Sequence, residues 1–513
     1  MHRGGIWFLV LLLCGGCAPR SGATSSTLQA VAEAAQTPSA PAASAAAPAE
    51  GPGRARSAPA VASPAAADPA LPADDPPPSL WTRRRGVDWP VFLGPTRDSK
   101  SSETGILTRW SAARPRVVWH CELGTSYGAP AVSGGRLFQF DRFGDHARLY
   151  CLNAETGQEL WRTEVPTAYE DLYGYNNGPR CSPLVDGGRV YAYGVDGVLF
   201  CCRAADGRLL WKRDLNQEFG VVQNFFGVGS NPVIEGDLVL CMVGGSPPES
   251  LRVAPGQLDR VEPNGTAIVA FDKRTGEVRY KLGNDLASYA SLQLATINGR
   301  RWGFAFCREG LLAFEPTRGE FDFHYPWRAP ILESVNASVP VVAGDEVFIS
   351  ETYGPGSSLL RVSPGQYDVV WKDDRRRDKA MQTHWMTPVF LDGYLYGSSG
   401  RHPYNAELRC IEWKTGKVQW SIPELTRTSL LYVDGHFVCL GEYGQLSLFK
   451  ANPEKYEPVA RLDVVTDGAA APADPRSQNL LKYPCWAAPI LSHGLLYVRG
   501  EHRLVCLELI PET

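Results

Sequence analysis

An all-β fold, an eight-bladed β-propeller of four-stranded antiparallel blades, is what this 513-residue sequence predicts, on three observations. From about residue 87 every apolar stretch is short, rich in Val, Leu, Tyr and Phe, and bounded by Gly, Asp or Asn, the pattern of strands between tight turns. A start motif recurs eight times, a small or polar residue, often followed by Pro, leading two or three aliphatics into a Gly turn. Five copies also close on a second motif, in which a turn Gly stands four residues before an aromatic. Seven blades is the alternative count.

Ahead of the repeats the chain reads as an export signal. His2 and Arg3 are basic, Ile6 to Leu13 is an apolar core too short to span a bilayer, and Gly15 and Gly16 precede Cys17. Residues 1–17 resemble a bacterial lipoprotein signal, which implies lipidation of Cys17, although Cys14 stands where Leu is usual. Ordinary cleavage near Ala18 is the alternative. Residues 18–80 contain 22 Ala and 12 Pro and no aromatic, so they cannot bury enough apolar surface to offset the entropy of ordering. A solvated tether is expected over 18–86, with Arg83, Arg84 and Arg85 as a solvated basic patch, and the propeller over 87–513.

The eight starts are Ala129-Pro130, Ser182-Pro183, Asn231-Pro232, Ala295, Val339-Pro340, Thr387-Pro388, Leu431 and Ala488-Pro489. The closing aromatics are Trp161, Trp211, Tyr280, Phe323 and Trp420, behind turn glycines 157, 207, 276, 319 and 416. Glycine supplies the positive φ of such a hairpin, and the aromatic is placed on a fourth strand where its ring can wedge between sheets. Trp371 ends a degenerate copy, and the region Tyr443–Ala460 a weaker one. The last unit runs out after three strands, while Arg116–Leu123 is a lone strand with Trp119 where the repeat aromatic belongs. That N-terminal strand is expected to complete the last blade and close the ring.

The Asp-x-x-Thr-Gly-x-x-x-Trp repeat resembles the tryptophan-docking motif of the pyrroloquinoline quinone (PQQ) propeller repeat. Its superfamily includes the quinoprotein alcohol dehydrogenases and the BamB-type lipoproteins of outer-membrane β-barrel assembly. Asp88–Ser99 and Asn177–Cys201 are similar to PQQ-like-repeat proteins common in environmental bacteria such as planctomycetes, a group named for its repeats and not for an activity. Fold alone transfers no reaction.

In the enzymes of that superfamily, the resemblance implies PQQ under a vicinal disulfide, a calcium ion held by Glu, Asn and Asp, and a catalytic Asp. Cys201-Cys202 are adjacent, but Cys201 lies six residues before Gly207, as Cys151 does before Gly157 and Cys410 before Gly416. Ala270 and Ala313 hold the same register before Gly276 and Gly319, so the column reads as a small buried strand position, where Cys behaves as a hydrophobe. The cysteines of the propeller are therefore expected as mostly free, buried thiols. No GxSxG elbow, HExxH helix or paired CxxC metal site appears. No catalytic residue, cofactor or metal is expected, with PQQ and calcium as the alternative.

Propellers bind at the mouth of the central channel, where connections lead into each innermost strand. The candidates there are Tyr127, Arg180, Asn231, Tyr289, Asn336, His384, Trp385 and Trp486, on loops that are aromatic and polar together. A net charge of −4 excludes a general nucleic-acid binder, and no apolar run is long enough for a membrane-spanning helix. The sequence thus predicts an exported, lipid-anchored monomer of the cell envelope or periplasm, a non-catalytic binding or scaffold module. Its expected partner is an envelope protein, or a small-molecule or glycan ligand. The alternatives are a PQQ-dependent quinoprotein dehydrogenase and a carbohydrate-binding propeller.

Overall fold

The computed structural model describes residues 74–465 and 479–512. The export signal, Cys17 and the expected tether up to residue 73 lie outside the described residues. Among the described residues, thirty-two strands form eight four-stranded antiparallel sheets. Blades 1 to 7 span residues 131–166, 184–214, 233–282, 293–326, 341–372, 389–422 and 428–463, each made of four consecutive strands, A to D. The A strands of blades 1 and 2, 5 and 6, and 6 and 7 touch one another, which places them at the axis. Blade 8 takes its A, B and C strands from residues 490–508 and its outer D strand from Arg116–Glu122. Val117 pairs with Leu507 and Cys121 with Leu504 in that closure.

The Gly-x-x-x-aromatic motif has a mechanical reason. Each turn glycine is the seat for the aromatic of the preceding blade: a Cβ on Gly157 would lie 2.7 Å from the Trp119 ring, and one on Gly207 2.4 Å from Trp161. Gly276, Gly319 and Gly416 seat Trp211, Tyr280 and Trp371 in the same way. The indole then donates to a carbonyl of the same turn, Trp119 Nε1 to Ala154 O at 2.9 Å and Trp161 Nε1 to Ala204 O at 3.0 Å. Trp371 and Trp420 repeat the bond on Trp413 O and Asn452 O. Blade 7 is the exception, with Ala460 opposite Leu448 where an aromatic would stand.

The small column lies directly across from these aromatics. Cys151 pairs with Trp161, Cys201 with Trp211, Ala270 with Tyr280, Ala313 with Phe323, Cys410 with Trp420 and Cys506 with Trp119. A large ring on one strand favours a small side chain on its cross-strand neighbour; blade 5 departs from this, with Leu359 opposite Trp371. All eleven described cysteines are free. Cys201 and Cys202, successive on one strand, point into two different inter-blade cores.

Gly207 tests the seat. Its φ is +74° and its Cβ position is filled by Trp161, whereas Gly236, at φ +58°, has open space around it. Gly236→Ala is expected to cost only the left-handed strain of about 1–2 kcal/mol. Gly207→Ala adds the displacement of a docked tryptophan, and its denaturation midpoint is expected to fall further.

Residues 86–110 run across the end of the channel where the A strands turn into the B strands. Trp89 exchanges both backbone hydrogen bonds with Val132 of blade 1, and Pro90 O accepts from Val185 N of blade 2. Arg97 reaches Ile234 O of blade 3, Lys100 reaches Phe390 O of blade 6, and Ser99 and Ser101 pair with Tyr432 of blade 7. Leu107 N donates to Leu509 O of blade 8. The inner edges of A strands are unpaired ladders, and this segment caps them at the base of the channel.

Residues 74–86, the end of the expected tether, also lie on the base. Asp74 bridges Arg189 and Arg274 at 2.7 and 3.1 Å, and Trp81 stacks on His493 with centroids 4.1 Å apart. Arg83 differs from the expected solvated patch: its side chain is 10% exposed, 3.0 Å from Glu508, and donates to Ile510 O.

Candidate functional site

At the opposite end of the channel, the D–A and B–C connections bring an aromatic chain together. Tyr127 packs on Trp486 (centroids 4.8 Å apart), Trp486 on Trp385 (4.6 Å), and Trp385 on His384 (4.5 Å). The chain ends at Tyr353, whose Oη lies 3.1 Å from His384 Nε2. Three guanidiniums, those of Arg427, Arg401 and Arg180, lie on these rings. Arg427 is 4.9 Å from the Trp385 centroid and 5.5 Å from that of Trp486, and Arg401 is 4.3 Å from that of Tyr353. The negative face of an aromatic ring attracts such cations.

Arg427 is neutralised on the spot. Its Nε lies 3.0 and 2.9 Å from the two carboxylate oxygens of Glu442, whose side chain is fully buried. Trp486 Nε1 donates to the same carboxylate at 3.4 Å. Buried charges persist only when paired in this way.

Of the eight residues singled out in the sequence, Tyr127, His384, Trp385 and Trp486 come together in this cluster. Arg180 flanks it, 5.7 Å from the rings of Tyr127 and Tyr169, with its hydrogen bonds spent on Asp171, Gly178 O and Asn176 O. Asn231 and Asn336 are buried staples. Asn231 accepts from Ser182 N at 2.6 Å and donates to Ser291 Oγ at 2.8 Å, tying blades 2, 3 and 4. Asn336 Nδ2 donates to Cys307 O at 2.7 Å. Tyr289 accepts from Phe226 N at 2.9 Å and joins a second aromatic group with Phe226, Tyr173 and Tyr175.

Four members of the mouth were not singled out: Tyr353, Arg401, Arg427 and Glu442. Arg427 immediately precedes the A strand of blade 7, which begins at Thr428 and not at Leu431 as the repeat alignment placed it. With the true register, the rule that found His384 and Trp486 also finds Arg427. Tyr353, Arg401 and Glu442 lie on B–C connections, which carry no repeat signature.

Two polar atoms of the cluster are shielded from solvent and have no hydrogen-bond partner, His384 Nδ1 and Trp385 Nε1. An unmet buried donor or acceptor costs roughly 1–3 kcal/mol; Trp89 Nε1 at the base is likewise without a partner. Burial first, then the neighbouring Arg427, Arg401 and His402, pushes His384 well below the usual imidazole range, leaving the ring neutral.

The loops that carry the cluster are held by buried carboxyls. Glu351 accepts from the backbone N–H groups of Tyr353, Gly354 and Gly356, yet burial pushes its carboxyl up to about 7. Asp373 accepts from Ser357 and Ala380 and is pushed up to about 6 by burial. Both groups bind a proton more tightly folded than unfolded. Their stabilising contribution is therefore complete below about pH 4 and is lost as pH rises through 6 and then 7. Denaturation midpoints are expected to show a fall from pH 5 to 7.5 that is shallower in Glu351→Gln than in the wild type.

A second concavity of about 400 Å³ opens between blades 2 and 3, against Tyr169, Asp196, Asn216 and Ser230. Among the described residues no three His, Cys, Asp or Glu side chains gather where they could hold a metal ion. Burial pushes the Cys201 and Cys202 thiols up to about 12, so neither is a nucleophile near neutrality.

Comparison with known proteins agrees with this architecture. The family described as outer membrane protein assembly factor BamB matches residues 103–281 and 176–452. No curated protein matches the chain. Among solved structures, BamB from Moraxella catarrhalis is similar with a TM-score of 0.51 at 13% identity, covering 78% of this chain and 99% of that one. A europium-containing methanol dehydrogenase reaches 0.45 at 12% identity, covering 82% and 98% of the two chains. Quinohemoprotein alcohol dehydrogenase from Comamonas testosteroni reaches 0.42 at 12%, covering 83% and 82%. At 13% identity the likeness to the Moraxella catarrhalis structure is one of fold.

Proposed function

This chain belongs to the outer membrane protein assembly factor BamB family, and on that premise we propose that it is an envelope binding module that docks a polypeptide partner at its channel mouth. The observation that carries this reading is the contrast between the two ends of the channel. The base is capped by residues 86–110, while the other end presents a chain of rings with cations on their faces. Aromatic residues and Arg are the side chains from which protein-binding hot spots are built. Export, and anchoring through Cys17 on an Ala/Pro tether, belong to the same proposal and are supported by the N-terminal sequence.

A quinone-dependent oxidation is less well supported, because Cys201 and Cys202 sit back to back in two inter-blade cores and do not face the mouth. Affinity capture from solubilised envelopes tests the reading. A polypeptide retained by the wild type and lost with the pair Trp385→Ala and Trp486→Ala supports it. Retention by that variant, or capture of no polypeptide, defeats it.

A further inference from the structure

We propose that the mouth contains a carboxylate subsite, with Arg401 as its fork and Trp385 and Trp486 as the wall for the apolar group beside that carboxylate. This rests on the polypeptide-binding reading above and deepens it: the docked segment is acidic, with aromatic or aliphatic neighbours.

The argument begins with charge. Arg180 and Arg427 are each neutralised by a fully buried carboxylate, Asp171 and Glu442. Arg401 is different. Its guanidinium has neither a carboxylate partner nor a hydrogen-bond acceptor among the described residues, and it lies over the face of Tyr353. Stacking fixes the plane of a guanidinium and leaves its N–H edge free to grip a carboxylate with two parallel hydrogen bonds. The backbone beneath it is held, because Arg427 Nη1 donates to Arg401 O at 3.2 Å. The nearby Glu351 and Asp373 are turned onto backbone N–H groups, Glu351 onto its own loop and Asp373 onto Ser357 and Ala380.

The unmet hydrogen bonds point the same way. Trp385 Nε1 only donates. His384 Nδ1 is unpaired as well, while its Nε2 shares a hydrogen bond with the Tyr353 hydroxyl. What the Trp385 indole lacks is an acceptor. The loop that supplies His384 and Trp385 also supplies Arg375, Arg376 and Arg377, all exposed, with Arg375 and Arg376 near the carboxylates of Asp374 and Asp373.

The test is titration calorimetry of the full chain with a blocked tetrapeptide of alternating glutamate and phenylalanine, its glutamine counterpart, and succinate. The glutamate peptide is expected to bind at least tenfold more tightly than the glutamine peptide, and to weaken as salt is raised. Succinate is expected to compete only at much higher concentration, which separates a peptide carboxylate from a free small acid. Arg401→Ala is expected to erase the glutamate preference and Arg401→Gln to do the same, with at most a small fall in denaturation midpoint, since the side chain gives up its place over the Tyr353 ring. Equal binding of both peptides, or a preference that survives Arg401→Ala, overturns the subsite. Binding of neither peptide also overturns it. In each case, envelope capture that depends on Trp385 leaves the broader reading standing.

Discussion

Arg427→Ala is expected to destabilise the protein by about 3–5 kcal/mol, among the largest effects of any single substitution at the mouth. The cost comes from what is left behind and not from the lost attraction. Glu442 has a side chain with no solvent exposure, and its carboxylate is held by Arg427 and by Trp486 Nε1. Without the guanidinium an anion stays buried with one weak donor. The same substitution removes the cation from the faces of Trp385 and Trp486, so partner binding is expected to be lost together with stability. Arg427→Met combined with Glu442→Leu removes both charges, and is expected to recover most of the stability but none of the binding. Equilibrium denaturation of the single and double variants checks this; a double variant no more stable than the single would contradict it.

Trp89→Ala is expected to cost about 3–5 kcal/mol, as large-to-small changes of buried aromatics do. Trp89 is 2% exposed, its ring is packed against Gly94, and its backbone pairs with Val132. It is the anchor of the segment that caps the channel base. Limited proteolysis is expected to cut within residues 86–110 of the variant before any blade is cut. Val87→Ala, two residues away at a partly exposed side chain, serves as the control and is expected to change stability by no more than about 0.5 kcal/mol. A small effect at Trp89, or proteolysis that begins in the blades, would mean that the segment is not held as described.

The fold was legible because its rule is local and repeated. Gly207 and Trp161 need each other across two blades, yet each blade writes the same pair into its own sequence, so the spacing appears without knowledge of the contact. The closing strand was legible for the same reason, since Trp119 carries the repeat's aromatic in an otherwise lone strand. The base cap was not. Trp89, Arg97 and Ser99 follow no period, and their partners Val132, Ile234 and Tyr432 lie up to several hundred residues away in sequence.

The mouth was legible in part. His384, Trp385 and Trp486 stand just ahead of A strands, a position the repeat defines. Arg427 escaped because blade 7 lacks the docking aromatic that fixes register elsewhere. Arg180, Asn231 and Asn336 occupy the defined position too, but their hydrogen bonds turn inward. Whether a polar side chain at that position faces a ligand or a neighbouring loop depends on partners that spacing does not encode.

The central claim is that recognition takes place at the aromatic mouth and not at the capped base. Site-specific photocrosslinking in intact cells tests it most directly, with the crosslinking side chain at Tyr404, 81% exposed on the same connection as Arg401, and at Asp237, 65% exposed on a turn at the base. The account predicts a polypeptide adduct from Tyr404 that disappears with Trp385→Ala, and none from Asp237. An adduct from Asp237, or one from Tyr404 that is indifferent to Trp385, would contradict it.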